Sequence, residues 1–370
     1  MRTLMVVVLM VVSGLAWGQA NRPQTPVGPF PYESVEVTVP VLDRETGEQS
    51  HTLGATVTMP DPDAFGDGPH PGVVLMSGSG MQDRDSTVFK HKPFMVIADY
   101  LTRRGIAVLR YDDRVVGDST GSIEGMTTQD LAHDGHSAVM FMQSFEGIDP
   151  ERVGVMGHSE GGGHVAYIGA RDESVAFLIS LAGMGVDGGE VLVDQTIAMY
   201  EAGGMDEAYI EGSIEIRRSI FDAVREDRSR EEIVDLIVEL NMFEYGIEEV
   251  NDALRKTSEG MYGGFAGTWV RSFVQYNPSD DWARCVAPIL AMNGGKDFQV
   301  SAELNLGGIR EALDGAGHTR YTIVELAGLN HLFQHAESGM LPEYATIEET
   351  FAPEALAIIE AWIRTNIAEN

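Results

Sequence analysis

Short apolar segments that alternate with helical patterns constrain the fold of this chain more than any other feature. Helical periodicity appears at 94–103 and 131–145 and again from 353 to 367, where Pro353 suits a first helical turn. Strands that are apolar on both faces are typical of a mostly parallel sheet with helices on both sides, so the predicted class is α/β. The predicted strands are 35–41 and 52–59, which alternate in polarity, and then the apolar runs 73–76, 106–111, 153–156, 176–181, 289–292 and 321–326.

The alternation stops between residues 185 and 284, where consecutive amphipathic helices are predicted. Ile233 and Ile237 fall on one side of such a helix, and Ser229 with Glu232 forms a capping box at its start. The segment holds 22 acidic and nine basic side chains. We expect a helical cap (lid) at 185–284, inserted into a core made of 33–184 and 285–370.

The N-terminal residues have the layout of an export signal. A positive start is followed by an apolar run at 4–12 and by the small residues Ala16 and Gly18, which favours a signal peptide at 1–18 cleaved before Gln19. An uncleaved membrane anchor is the alternative. Residues 19–32 contain four prolines and are predicted to be a leader or linker. The mature protein is therefore expected to be exported, periplasmic or secreted, and without a stable membrane anchor.

The charge of the chain excludes several classes of partner. It has 57 acidic and 25 basic side chains and a formal net charge of -32, which argues against binding nucleic acid or anionic lipid surfaces. No phosphate-binding loop or dinucleotide fingerprint is present, so no cofactor is expected. His133 and His136 flank Asp134 at helical spacing, but without a third ligand they predict no metal site.

One serine has the surroundings of a nucleophile. Gly157-His158-Ser159-Glu160-Gly161 follows an apolar strand directly and leads into a helical segment, which matches the G-x-S-x-G turn. The flanking glycines would let the chain fold back tightly between strand and helix. Ser119 lies in the same pattern, between Gly117 and Gly121, but a polar loop separates it from its strand. Ser159 is therefore the predicted nucleophile.

A serine nucleophile needs a histidine base and a carboxylate that orients it. With a serine at such a turn, the acid and then the histidine follow on loops after late strands. Asp297 comes after the 289–292 strand and His331 after the 321–326 strand. Asp297 could instead cap the next helix, and His318 and His335 are alternatives to His331.

Two backbone N–H groups should stabilise the oxyanion. One belongs to Glu160, the residue after the nucleophile, and the other to the loop after an early strand. That loop reads Ser77-Gly78-Ser79-Gly80-Met81. Ser79 is the predicted second donor, with Gly80 or Met81 as alternatives.

Taken together, these motifs resemble the alpha/beta-hydrolase superfamily, close to the dienelactone-hydrolase-like and serine-aminopeptidase-like groups of bacterial serine esterases. The resemblance runs from about Val35 to the C-terminus and implies the alpha/beta-hydrolase fold with a helical cap. Ser77 departs from it, because many relatives have His there, and so does Val115, where Gly is usual. The resemblance rests on Ser77-Gly-Ser-Gly-Met-Gln-Asp-Arg-Asp85, Leu109-Arg-Tyr-Asp-Asp-Arg114, Gly157-His-Ser-Glu-Gly-Gly162 and Gly328-Leu-Asn-His-Leu-Phe-Gln334.

The expected activity is hydrolysis of small-molecule carboxylic esters, with short acyl chains, through an acyl-enzyme intermediate. An aminopeptidase or acyl-peptidase with the same Ser-His-Asp set is the first alternative. An acyl-CoA thioesterase and a non-catalytic binding protein are weaker ones. Because the cap is acidic, anionic substrates are expected to be disfavoured.

Overall fold

An eight-stranded sheet forms the centre of the computed structural model, which describes residues 21–367. Strands β3 to β8 run parallel, and β1 and β2 join one edge antiparallel, in the order β1-β2-β4-β3-β5-β6-β7-β8. The predicted mostly parallel sheet is thereby confirmed, while the predicted signal peptide lies outside the described residues. The strands are β1 (Glu33–Leu42), β2 (Gln49–Met59), β3 (His70–Met76), β4 (Ala107–Tyr111), β5 (Ile148–His158), β6 (Leu178–Leu181), β7 (Ile289–Gly294) and β8 (Tyr321–Leu326).

Helices cover both faces of the sheet, as the apolar strands require. Successive β3 residues alternate between two cores: Val74 belongs to one buried cluster and Val73 to the other. Helices α3, α4 and α11 contribute to the first cluster, and α2 and α13 to the second. The helices are α1 (Pro62–Phe65), α2 (Pro93–Thr102), α3 (Thr128–Gln143), α4 (Glu160–Gly169), α5 (Gly188–Ala202), α6 (Glu207–Arg225), α7 (Arg230–Tyr245), α8 (Asp252–Ala266), α9 (Thr268–Gln275), α10 (Ser279–Trp282), α11 (Ala302–Gly315), α12 (Leu341–Tyr344) and α13 (Pro353–Ile367).

Local signals set the ends of several helices. Helix α13 begins at Pro353 and ends at Ile367, as predicted. The Ser229 side chain accepts from the Glu232 backbone N–H, and the Glu232 carboxylate accepts from the Ser229 backbone, so the predicted capping box starts α7. Strand β5 is longer than predicted because its first part, which includes the charged residues Asp149, Glu151 and Arg152, precedes the apolar run.

The interval between β6 and β7 holds helices α5 to α10, and α5 to α9 share an apolar core of their own. Ile214, Phe221, Ile237 and Phe265 from three of these helices are buried together. Val300, from the loop after β7, joins the same cluster, so these helices are packed directly against the sheet domain. Among residues 21–367, no helix has the length and apolar character needed to cross a membrane.

The described part of the predicted proline-rich leader is hydrogen-bonded to the surface of the domain. The Arg22 guanidinium donates to the backbone oxygens of Phe89 at 2.8 Å and Ile347 at 2.8 Å. The Gln24 side chain donates to the Phe351 carbonyl at 2.8 Å and accepts from the Phe351 N–H at 2.9 Å. Side-chain hydrogen bonds of Arg22 and Gln24 therefore hold this part of the predicted leader against the domain.

Val115 occupies a backbone conformation that suits glycine. Its φ is +63°, and 47% of the residue is exposed, so its side chain packs little. A side chain at positive φ destabilises the folded protein by about 1–2 kcal/mol. Glycine avoids this strain but costs about 0.5–1 kcal/mol, because it loses more conformational entropy on folding. We expect Val115→Gly to raise the free energy of unfolding by about 0.5–1 kcal/mol, measured by urea denaturation.

A matched control is Val286→Gly, because Val286 is 48% exposed and is not among the residues with positive φ. This substitution should lower the free energy of unfolding. A Val115→Gly variant that is destabilised as much as Val286→Gly would show that φ at residue 115 carries no strain.

Candidate active site

Ser159 lies on a strained turn between β5 and α4. Its φ is +58° and its ψ is −123°, and its backbone N–H donates to the Leu181 carbonyl at 2.9 Å. A Cβ on Gly157 would lie 2.0 Å from the Gly161 oxygen, and a Cβ on Gly161 would lie 2.3 Å from the Ser77 oxygen. Only glycine fits these two positions, so the spacing of the motif has a steric cause.

The second serine with this spacing has a structural role instead. The Ser119 hydroxyl donates to the Asp112 carbonyl at 2.7 Å and accepts from the Gly54 N–H at 2.8 Å. These bonds tie the loop after β4 to β2. Ser119 therefore stabilises the loop, in agreement with its separation from the strand in the sequence.

His331 and Asp297 form a buried hydrogen-bonded pair. The Nδ1 of His331 lies 2.7 Å from Oδ2 of Asp297, and both residues are buried. The other carboxylate oxygen accepts from the backbone N–H groups of Gln299 at 2.8 Å and Val300 at 3.0 Å. A carboxylate accepts, so Nδ1 carries the proton and Nε2 is left with a lone pair to act as a base.

The alternatives for these two residues lie elsewhere. Helix α11 is preceded by Ser301 as its N-cap, so Asp297 fixes the turn before the helix and does not cap it. His318 bonds to the Ala287 carbonyl at 3.1 Å, and the exposed His335 lies 2.9 Å from Glu349. Neither histidine contacts Asp297.

His158, the second residue of the motif, was not among the predicted site residues. Its Nε2 lies 2.8 Å from the backbone oxygen of His331, and the two ring centroids are 4.7 Å apart. Because the carbonyl can only accept, Nε2 of His158 is the donor. Burial, with the neighbouring His331, lowers the pKa of His158 to about 3, so the ring stays neutral while it positions His331. The signal in the sequence that could have indicated this role is the position of a polar aromatic residue directly before the nucleophile.

The loop after β3 passes directly beside the serine. A Cβ on Gly78 would lie 2.8 Å from Cβ and 3.3 Å from Oγ of Ser159. Ser79 follows on this loop, and Glu160 is the first residue of α4, where backbone N–H groups have no partner within the helix. The loop that carries Ser79 and the first residue of α4 therefore both adjoin the nucleophile. Among residues 21–367 no hydrogen bond joins the Ser159 hydroxyl to His331; such bonds often tighten only when substrate binds.

Asp113 holds this loop in place from the end of β4. Its carboxylate accepts from the Ser77 hydroxyl at 2.8 Å and from the Gln82 N–H at 2.9 Å. Ser77, which departs from the family pattern, thus anchors the loop through its hydroxyl. Burial, partly opposed by these two hydrogen bonds, raises the pKa of Asp113 to about 7, and the nearby carboxylates of Asp134 and Glu160 add to the rise.

The side chain of Glu160 is buried between the core and α9. Its Oε1 accepts from the Thr128 hydroxyl and from the Trp269 indole N–H at 3.1 Å, and His164 Nε2 lies 3.6 Å away. Burial opposes ionisation, yet the hydrogen bonds and the His164 ring hold the pKa of Glu160 below its usual value, with help from the Ser79 hydroxyl. The carboxylate is therefore ionised at neutral pH.

The histidines around Asp134 have separate partners. His133 bonds to the Leu42 carbonyl at 2.7 Å, and His136 lies 2.8 Å from Asp172. Asp134 itself pairs with Arg114 at 2.7 Å and with His51 at 3.1 Å. In the described part of the chain, no three His, Cys, Asp or Glu side chains are grouped to hold a metal ion.

The raised pKa of Asp113 predicts a pH-dependent loss of stability. The unfolded chain releases this proton near pH 4 and the folded protein near pH 7, so ionisation favours the unfolded state as the pH rises between these values. Asp113→Asn keeps one acceptor oxygen and has no proton to release. In urea titrations, the free energy of unfolding of the variant should therefore rise relative to that of the wild type between pH 4 and pH 7. A difference that stays constant over this range would contradict the prediction.

Known esterases are among the proteins to which this chain is similar. Esterase EstD of Thermotoga maritima is 33% identical over 150 residues, which are 40% of this chain and 33% of the esterase. The chain therefore spans only about a third of that relative. The solved structure of an esterase from Pyrococcus furiosus covers 95% of this chain and 99% of its own, with a TM-score of 0.52 at 13% identity. A putative dipeptidyl aminopeptidase IV from Bacteroides ovatus covers 90% of this chain and 36% of its own, with a TM-score of 0.53 at 13% identity.

The two solved structures are similar to this chain in fold. At 13% identity, the similarity extends no further than the fold. The model of the alpha/beta hydrolase family matches residues 70–339, a range that includes Ser159, Asp297 and His331. This match agrees with the strained serine turn and with the strand order. The chain belongs to the alpha/beta hydrolase family.

Proposed function

We propose that the protein hydrolyses carboxylic esters with Ser159 as nucleophile. The observation that carries the proposal is the buried His331–Asp297 pair, whose Nδ1–Oδ2 distance is 2.7 Å, beside a serine held at φ +58°. Asp297 fixes the tautomer, so Nε2 of His331 takes the serine proton as Oγ attacks the carbonyl carbon. The imidazolium then protonates the leaving alcohol, and His331 activates a water that releases the acid from the acyl-enzyme.

The backbone N–H groups of Glu160 and Ser79 are proposed to bind the oxyanion. Support comes from Gly78, whose missing side chain lets the loop lie against Ser159. Asp113 and Ser77 fix that loop in advance, so the donors need little reorganisation during the reaction.

We propose that residues 185–284 act as a lid that limits the size of the acyl group. Ala198 and Met199 of α5 pack in one apolar cluster with Phe298 and Leu332, the neighbours of Asp297 and His331 in the chain. Apolar side chains at this junction suit short, uncharged acyl chains.

The proposal is tested with Ser159→Ala on 4-nitrophenyl acetate and butanoate. We expect kcat/KM to fall by at least about 10³-fold, because the nucleophile is lost while the fold is kept. Ser119→Ala is the matched control: it removes the serine of the other G-x-S-x-G pattern and should keep activity within several-fold.

Wild-type turnover of aminoacyl anilides in preference to the esters would favour the peptidase alternative. Full ester hydrolysis by Ser159→Ala would contradict the assignment of the nucleophile. Absence of turnover of any ester, thioester or anilide by the wild type would favour a binding protein.

Export of the protein is also proposed, on the charge and hydropathy pattern of residues 1–18. Expression with the full sequence in a Gram-negative host, followed by N-terminal sequencing of the protein outside the cytoplasm, should give Gln19 as the first residue. Uncleaved protein that stays in the cytoplasm would contradict this proposal.

A further inference from the structure

The Glu160 carboxylate is buried, and one of its two oxygens is left without a donor. Only 2% of the residue is exposed, and its Oε1 accepts from two uncharged donors, Thr128 and Trp269. Its Oε2 is buried and has no hydrogen-bond partner. Within residues 21–367 no lysine or arginine forms an ion pair with it, and His164 at 3.6 Å is the nearest basic group. A buried carboxylate oxygen without a partner is costly, so a donor that reached it would bind favourably.

The position of this charge matters for the proposed reaction. Glu160 follows the nucleophile directly, and its own backbone N–H is one of the proposed oxyanion donors. A negative side chain so close to the developing oxyanion opposes the charge that forms there. Asp113 also interacts electrostatically with Glu160, so no compensation comes from that side. A positive charge on the substrate would remove this repulsion.

Trp269, which donates to Glu160, could also contact a cation. Trp269 comes from α9, and its half-buried ring stacks on Phe273 with centroids 5.1 Å apart. The indole N–H edge of Trp269 meets Oε1, so a carboxylate and an electron-rich ring, both of which attract an ammonium group, lie next to each other. Helix α9 also contacts the core through Ser272, whose hydroxyl accepts from the Thr128 N–H at 2.9 Å. Because Oε2 is closed off here, α9 must shift for a ligand to reach it.

We infer that the Glu160 carboxylate binds a cationic group on the acyl part of the substrate, so that esters with an ammonium-bearing acyl chain are preferred to neutral and anionic ones. The ammonium lies between Oε2 and the Trp269 ring and offsets the carboxylate charge during attack by Ser159. The inference rests on the proposed esterase function and names its substrate class.

The test compares three benzyl esters of similar size: 3-ammoniopropanoate, butanoate and hydrogen succinate, with release of benzyl alcohol measured. Glu160→Gln keeps an acceptor for Thr128 and Trp269 and removes the charge. The readout is the ratio of kcat/KM values between esters, because a structural disturbance lowers all three together. We expect the cationic-to-neutral ratio to fall at least about tenfold and the anionic-to-neutral ratio to rise.

Glu239→Gln, which removes an exposed charge from α7, is the control and should leave both ratios unchanged. Equal ratios in the wild type and Glu160→Gln would overturn the inference while the esterase proposal stands. Failure of the wild type to hydrolyse any of the three esters would contradict both.

A second measurement needs no active variant. Propylammonium should inhibit wild-type hydrolysis of benzyl butanoate competitively, at a concentration at least about tenfold lower than 1-butanol does. Equal inhibition by the two compounds would overturn the inference even if Glu160→Gln does not fold.

Discussion

The candidate site depends on one close approach between backbones, where the turn after β5 meets the end of β3. The carbonyl of Ser77 occupies the space that a side chain on Gly161 would need, and the carbonyl of Gly161 does the same for Gly157. This contact holds Ser159 at positive φ and brings Gly78 against it. A bulkier residue at either glycine would separate the nucleophile from the loop that carries the proposed oxyanion donor.

Buried polar groups fix the remaining geometry. His158 joins the nucleophile turn to the backbone of His331, and Asp113 joins the end of β4 to the loop after β3. Glu160 links the start of α4 to α9 through Trp269. Each bond satisfies a group that burial would otherwise make costly, so the polar network orients the site and ties it to helix α9.

Ser159, Asp297 and His331 could be selected from the sequence because each follows a recognisable apolar strand. The ends of parallel strands meet at one edge of the sheet, so residues far apart in the chain are expected there together. The role of His158 could not be read in this way, because its partner is the backbone oxygen of His331, and no sequence pattern marks a backbone partner. The same holds for Trp269. It lies in a segment that only helical periodicity describes, and its partner Glu160 comes 109 positions earlier in the chain.

Hydrophobic periodicity and glycine spacing by themselves determined the α/β class, the covered parallel sheet and the turn at Ser159, because these follow from local sterics and from burial of apolar faces. Tertiary structure alone decided the charge state around that turn. Asp113 and Glu160 are both buried carboxylates, yet burial raises the pKa of the first, while several hydrogen bonds hold that of the second below its usual value. Such differences depend on which donors the fold brings within reach, and no local pattern contains that information.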